Sequence, residues 1–225
     1  MGGRKTFVTN TVLTAADVQD FLMDQAVMVF ASSDARGSAI TSPTEGMVAY
    51  LNDSNTLSLF DGSVWKTSLA TTGSILQVLS TTKTDTFTMS SSTFADVTGL
   101  SVTITPKSAS SRILVNVSLS GGGNPGASAL LGRIMRDSTA IVLGAAAGSR
   151  TRTTFGNTPS ADGSHVASNS FTFLDSPAAT SALVYKVQVA NNGASTVFVN
   201  RSPTDNDGAS WSRAASSITV MEVAS

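Results

Sequence analysis

Ile113-Leu-Val-Asn-Val-Ser-Leu-Ser120 is the stretch that decides the fold class of this 225-residue chain. Every second residue, from Ile113 to Leu119, is a branched apolar side chain, and the residues between them are mostly polar. Successive side chains of a strand point to opposite faces of a sheet, so this alternation predicts a strand with one buried and one wet face. Such strands are typical of antiparallel sheets.

The same alternation recurs on both sides of this stretch, in Leu100–Thr105 and in Leu183–Val189. Eight to ten short runs of this kind follow Gly73, within 75–81, 84–90, 99–105, 112–120, 129–136, 139–144, 166–175, 181–190, 195–201 and 216–224. No unit of roughly 20–50 residues repeats, which disfavours a propeller or a solenoid. Strands of this number and length predict a jelly-roll-like antiparallel β-sandwich over 73–225.

Residues 1–70 carry a mixed pattern that predicts a small α+β unit in front of the sandwich. Thr14-Ala-Ala-Asp17 resembles the capping box of a helix start. The apolar residues that follow at helical spacing, and predict about three turns of amphipathic helix, are Val18, Phe21, Leu22 and Ala26. A strand at Val27–Phe30 follows, and then a hairpin of Met47–Leu51 and Thr56–Phe60 that closes near Trp65.

The composition disfavours several classes of function. Charged residues make up 13% of the chain and its net charge is −1, whereas nucleic-acid binding draws on an excess of basic residues. The chain has no cysteine and one histidine, which excludes disulfides, thiol catalysis and cysteine-based or multi-histidine metal sites. No apolar stretch approaches the ~20 residues of a membrane span. We therefore expect no cofactor, no nucleic-acid partner and no membrane insertion. Serine and threonine number 64, so the polar surface is mostly hydroxyl.

Two motifs have both a functional and a structural interpretation. Gly121–Gly126 fits the dinucleotide-binding pattern G-x-G-x-x-G, but no acidic residue lies about 20 positions further on, so we predict a loop at one end of the sandwich. Asp205–Gly208 resembles part of a calcium loop without its closing glutamate. For this segment we predict a turn held by its own Asp and Asn side chains.

Four arginines within twenty residues form a candidate binding cluster: Arg133, Arg136, Arg150 and Arg152. Guanidinium groups that converge bind carboxylates or phosphates with two parallel hydrogen bonds, so the cluster is a candidate site for an anionic ligand or for contact between subunits. The simpler interpretation pairs these arginines with nearby aspartates, namely Asp137, Asp162 or Asp175.

Several segments resemble bacteriophage tail, fibre and head-fibre proteins of the virion. In the first half these are Val12–Phe30, Ser42–Met47 and Phe60–Trp65. In the second half they are Ile75–Lys83, Asp96–Leu100, Arg136–Thr139, Ala147–Thr151, Leu174–Pro177, Tyr185–Gln188, Asn200–Arg201 and Val220–Glu222. Together these segments touch most of the chain.

The resemblance implies that residues 1–70 attach the chain to the phage particle and that residues 73–225 face the medium or the host. The candidate attachment residues are Val18, Phe21, Leu22, Phe30 and Trp65. Virion appendages of this kind are commonly homotrimers, so the expected partners are further copies of the chain, other tail or capsid proteins, and a host cell-surface glycan. The family supplies no catalytic residues.

The expected function is that of a non-enzymatic virion structural protein, a trimeric tail fibre or spike that docks by its N-terminus and adheres to the host surface. One alternative keeps the fold and places the protein on the head, as a capsid decoration or head-fibre protein. A second alternative is a glycan depolymerase that uses two aspartates as acid and base.

Overall fold

The computed structural model describes residues 8–9, 11–18, 26–67, 72–124, 129–157, 163–193 and 195–225. The chain divides into two compact units, Met1–Ala70 and Thr71–Ser225. Strands dominate both units, which confirms the expectation of a mainly β protein with a small α+β segment at its start. Within the described ranges, no helix is long and apolar enough to cross a membrane.

The first unit is a four-stranded sheet with two short helices. Its elements are α1 (Ala15–Val18), β1 (Val27–Phe30), α2 (Ser33–Ala39), β2 (Val48–Leu51), β3 (Thr56–Phe60) and β4 (Trp65–Lys66). The sheet order is β1-β2-β3-β4, with β1 parallel to β2 and the other pairs antiparallel. The predicted strand and hairpin are both present. The pattern missed α2, because this helix of seven residues, about two turns, contains mainly small and polar residues.

The helix start at Thr14 forms as the capping-box pattern predicts. The Thr14 backbone N–H donates to Asp17 Oδ2 at 3.2 Å, and the Asp17 backbone N–H donates to Thr14 Oγ1 at 3.1 Å. These two bonds satisfy donors that a helix end otherwise leaves unpaired. The continuation of the predicted helix through Phe21 and Leu22 lies outside the described residues.

The second unit contains eleven described strands arranged in two sheets. They are β5 (Ile75–Lys83), β6 (Phe87–Met89), β7 (Ala95–Ile104), β8 (Arg112–Gly123), β9 (Leu130–Arg136), β10 (Thr139–Ile141), β11 (Phe155–Asn157), β12 (Ala167–Asp175), β13 (Leu183–Asn191), β14 (Val197–Val199) and β15 (Ser216–Val223). Eight of these strands are ordered β5-β15-β8-β12 in one sheet and β7-β13-β9-β10 in the other. All pairs in both sheets are antiparallel.

This strand order is that of a jelly roll. We number the eight strands of these two orders from one to eight along the chain. The first sheet then contains strands one, eight, three and six. The second contains strands two, seven, four and five. The short strands β6 and β14 extend the first sheet beyond β5 and β15, and β11 pairs with β9 in the second. The predicted jelly-roll-like sandwich is therefore confirmed.

The core lies between the two sheets and follows the alternation read from the sequence. Ile113, Val115, Val117 and Leu119 on β8 are fully buried, and they pack with buried side chains of the opposite sheet such as Ile134. Removal of these branched side chains from water supplies the main favourable term in folding. The residues between them on β8 point away from the core and are half-buried or exposed up to Ser118.

The first half of the glycine-rich run is not the loop that we predicted, because Gly121–Gly123 continue strand β8, whereas Pro125 and Gly126 lie outside the described residues. Gly121 pairs with Val199 of β14, and a Cβ atom at Gly121 would lie 2.3 Å from the carbonyl oxygen of Phe198. Any side chain would separate the two strands at this point. The glycine is required by a close approach of backbones that the local sequence does not reveal.

Candidate functional site

The four candidate arginines bind four different sets of partners. Arg133 and Arg136 lie three residues apart on β9, so their side chains leave opposite faces of the sheet. Arg133 Nε donates to Gln188 at 2.9 Å, and its guanidinium lies 4.1 Å from the ring centre of Phe94. Arg133 therefore belongs to the outer surface of its sheet.

Arg136 instead joins the two sheets of the sandwich. Its Nη1 donates to both carboxylate oxygens of Asp175, at 2.8 and 2.7 Å, and the buried Tyr185 hydroxyl donates to Asp175 Oδ2 at 2.7 Å. Burial and the bond to Asp175 raise the pKa of Tyr185. Burial lowers the pKa of Arg136, but the bond to Asp175 outweighs it and the net shift is upward. Arg136 and Asp175 neutralise each other's charge, so this cluster links the two sheets and stabilises the fold.

Arg150 and Arg152 lie in the segment between β10 and β11. Arg150 Nη1 donates to the carbonyl oxygen of Ala147 at 3.3 Å, and Arg152 Nε donates to that of Gly144 at 2.6 Å. Each of the four arginines thus has a bond within the chain, and one of the aspartates named above, Asp175, pairs with Arg136. The four guanidinium groups share no common partner among the described residues, and Asp162 lies outside them.

Of the candidate attachment residues, Phe21 and Leu22 lie outside the described residues, and Val18 is exposed at the end of α1. Phe30 and Trp65 are half-buried and share one face of the first sheet. Phe30 pairs with the buried Leu51, and Trp65 pairs with the buried Phe60. Phe30 and Trp65 thus belong to the packed side of the sheet.

Arg36 of α2 covers the same packed side. Its guanidinium lies 4.2 Å from the ring centre of Trp65, and its Nη1 donates to the buried Ser58 hydroxyl at 2.8 Å. Burial lowers the pKa of Arg36. A cavity of about 430 Å³ next to Phe30 opens on this side as well. Because the Trp65 ring packs against the Arg36 guanidinium, we assign Trp65 to the packing of the first unit.

The opposite side of this sheet, which we call the open face, is apolar and exposed. Register aligns its side chains in two rows across β1, β2 and β3: Val27, Val48 and Leu59 in one row, and Val29, Tyr50 and Leu57 in the other. Val27 is 57% exposed and Val29 is 63% exposed. Sequence reasoning missed this surface. The available signal was the run Val27-Met-Val-Phe30, which is apolar at both parities, so that burial of one face leaves apolar side chains on the other.

The loop between β14 and β15 forms a second surface feature, which we call the loop pocket. It has a volume of about 330 Å³, and its walls are Asp205, Asn206, Asp207, Gly208, Trp211, Ser212 and Arg213. A turn in which the Trp211 N–H donates to the Gly208 carbonyl oxygen at 3.0 Å positions the indole. A Cβ atom at Gly208 would lie 3.3 Å from the indole Cδ1, so glycine leaves this side of the ring open.

Ionic contacts hold the wall of the loop pocket. Arg213 Nη2 donates to Asp205 Oδ2 at 2.7 Å, and Arg201 Nη1 lies 3.5 Å from the same oxygen. The Arg201 guanidinium in turn lies 4.2 Å from the ring centre of Phe198. The loop therefore contacts β14 at its base. The Asp205 carboxylate is paired with two arginines. Among the described residues, no group of three or more His, Asp or Glu side chains could hold a metal ion.

The loop pocket combines two kinds of chemistry. Trp211 is half-buried and presents part of an aromatic ring, while the neighbouring Asn206, Asp207 and Arg213 are exposed donors and acceptors. An aromatic face packs against C–H groups, and amide, carboxylate and guanidinium groups bond hydroxyls. A sugar ring offers both types of group. The pattern at Asp205–Gly208 predicted a turn, but nothing in it indicated that Trp211 lies beside this turn.

Comparison with known proteins finds similarity of structure but no match in sequence. No family model and no curated protein sequence matches this chain. The chain is similar to one from T = 1 particles derived from infectious bursal virus, with 12% sequence identity and a TM-score of 0.36. The similarity covers 73% of this chain and 43% of that chain, so the present chain spans less than half of the viral one.

Proposed function

We propose that this protein is a non-enzymatic bacteriophage virion protein that docks through its first unit and presents the jelly roll for adhesion to a host-surface glycan. The proposal includes a homotrimeric state of the tail fibre or spike type. The observation that carries the adhesive role is the loop pocket, in which Trp211 lies among polar side chains at the rim of a rigid sandwich. The phage-like segments quoted above support the virion assignment.

The open face of the first unit supports the docking role. A monomer in water rarely leaves a continuous apolar sheet face uncovered, and such patches mark interaction sites. Here two rows of side chains, of which Val27, Val29 and Leu57 are exposed and the rest half-buried, remain uncovered although α2 packs on the other face. We therefore assign docking to Val27, Val29 and Leu57, and we assign Phe30 and Trp65 to the interior of the unit.

Location on the particle tests the virion assignment and separates its two forms. Intact phage particles are labelled with immunogold against residues 73–225. Gold at the tail supports an adhesive fibre or spike, and gold around the head favours the decoration or head-fibre alternative. Particles without gold contradict the virion assignment.

Docking is tested by substitution on the open face. We expect Val29→Asp to abolish incorporation of the protein into particles while the purified chain stays folded, because an exposed valine contributes little to stability. The matched control is Thr103→Asp, which adds the same charge to an exposed strand position of the second unit. Equal incorporation of the two variants would contradict the assignment.

Adhesion is tested with the purified full chain on an array of host-surface glycans. We expect Trp211→Ala to weaken glycan binding at least about tenfold, since loss of one aromatic contact of about 1.4 kcal/mol corresponds to that factor. Trp211→Phe retains an aromatic face and should keep most of the affinity. Equal binding by wild type and Trp211→Ala would remove the loop pocket from the proposal, and release of reducing sugars would favour the depolymerase alternative.

A further inference from the structure

The outer side of the sheet β5-β15-β8-β12 has an ordered pattern that we call the hydroxyl face. Register aligns its side chains in three rows that each cross four strands. The first row is Val78, Met221, Leu114 and Leu174; the second is Ser80, Thr219, Asn116 and Thr172; the third is Thr82, Ser217, Ser118 and Ser170. The face thus consists of one apolar row beside two rows of small polar groups.

The apolar row is open to solvent at both ends. Val78 on β5 is 53% exposed and Leu174 on β12 is 36% exposed, while Met221 and Leu114 between them are half-buried. In the adjacent row, Ser80 and Thr219 share a hydrogen bond of 2.8 Å, and Asn116 donates to Thr172 at 2.8 Å. These bonds join the four side chains of the row in two pairs. Each hydroxyl keeps the capacity for a further hydrogen bond.

The outer side of the opposite sheet is different, because it is charged. Lys186 on β13 forms an ion pair of 2.7 Å with Asp96 on β7, and Asp96 also accepts from Gln188 at 2.6 Å. Arg133 on β9 extends this network. A face with fixed charges of both signs is suited to water. The two sides of one sandwich therefore present contrasting surfaces, and the uncharged one is the candidate for burial.

We propose that the hydroxyl face packs against the same face of other copies of this chain. The inference deepens the proposed homotrimer and rests on it. None of the twelve side chains is charged, so a copy that meets these three rows meets no like charge; the exposed Arg112 of β8 lies one row beyond the apolar row, outside them. Hydroxyls are donors and acceptors at once, and two identical hydroxyl arrays can therefore satisfy each other. The three rows offer no charge by which a partner of different sequence would be selected.

The outer side of the whole sheet approaches the size that such a contact needs. Four strands about 4.8 Å apart, at about 3.3 Å per residue, span about 300 Å² over the five residues that the three rows cover and about 500 Å² over eight residues, the length of β15. A standard interface buries about 800 Å² of accessible surface per partner, and accessible area exceeds the flat projection. Around a three-fold axis, each copy turns this face inward, and the apolar row supplies the dry centre of the contact.

The test measures the mass of the intact chain in solution by light scattering and sedimentation. We expect wild type to have three times the 23.0 kDa mass of one chain, and Val78→Glu to sediment as a monomer with an unchanged circular dichroism spectrum. Thr103→Glu is the control, because it adds the same charge to the opposite sheet. If Val78→Glu remains trimeric, the hydroxyl face is not the interface, although the trimer of the proposed function stands.

A second measurement covers the remaining outcomes. The chain has no cysteine, so Met221→Cys introduces a single thiol within the apolar row, on an inner strand of the sheet. We expect mild oxidation to link two copies of Met221→Cys and to leave Thr103→Cys unlinked. A wild-type dimer that Val78→Glu dissociates would retain the face and overturn the trimer. A wild-type monomer without cross-linking at Met221→Cys would overturn both.

Discussion

Glu222 offers the sharpest test of how the sandwich is held together. Its side chain on β15 is 0% exposed, although a carboxylate is costly to bury. Oε1 accepts from the Lys107 backbone N–H at 2.7 Å, and Oε2 accepts from Gln77 Nε2 at 2.6 Å. Gln77 also donates to the Thr105 carbonyl oxygen at 2.8 Å. The carboxylate therefore connects the segment between β7 and β8 to strands β5 and β15.

The cost of Glu222→Gln follows from these donors. Both carboxylate oxygens face N–H groups, so the amide places its own NH₂ against one of them and loses that bond. A hydrogen bond to a charged group contributes about 1.5–3 kcal/mol, and we expect a loss of about 2–3 kcal/mol in the free energy of unfolding. For a unit of this size, the loss lowers Tm by about 4–10 °C.

The pH dependence has a definite sign. Burial raises the pKa of Glu222, but the hydrogen bonds from Gln77, Ser111 and the backbone of Lys107 outweigh it, so the net pKa is lower than usual. The carboxylate therefore contributes its full stabilisation above the unfolded pKa of about 4.3, and the contribution is lost as pH falls through the lower folded value. The difference in stability between wild type and Glu222→Gln should shrink in acid.

The assay is urea unfolding followed by tryptophan fluorescence. The chain has two tryptophans, one in each unit, so a Trp65→Phe background leaves Trp211 as the reporter of the second unit. Glu45→Gln is the matched control, because Glu45 is exposed. Equal unfolding midpoints for Glu222→Gln and Glu45→Gln at pH 7, or a constant difference down to pH 3, would refute the argument.

Two further predictions concern the packing of the sandwich. Gly121→Ala should cost about 1–3 kcal/mol, because its Cβ would lie 2.3 Å from a carbonyl oxygen of β14; Gly144→Ala, whose Cβ meets an atom at 3.6 Å, should change the unfolding midpoint little. Asp175→Ala should cost about 3–5 kcal/mol, because it leaves Arg136 and the buried Tyr185 hydroxyl without their shared acceptor, whereas Tyr185→Phe should cost about 1 kcal/mol. Urea unfolding measures all four variants, and similar costs for Asp175→Ala and Tyr185→Phe would contradict the shared role.

The candidate site shows which residues a sequence pattern can identify and which it cannot. Phe30 and Trp65 are large apolar residues in a predicted attachment unit, but burial on one side of a sheet depends on where α2 packs. The arginine cluster was close in sequence, yet a separation of three residues on a strand sends two side chains to opposite faces. Trp211 joins Asp205–Gly208 because a turn brings it there.

The sequence by itself determined the class of fold, because a period of two along a strand states which side chains share a face. Ile113, Val115, Val117 and Leu119 therefore predicted their own burial in an antiparallel sandwich, and all four are fully buried. The tertiary structure alone decided which strands are neighbours. Only pairing across 50 to 150 residues of chain aligns Val78 with Met221, Leu114 and Leu174, and only the approach of β14 requires glycine at position 121. Periodicity is a local property, whereas register and close approach arise from contacts between distant segments.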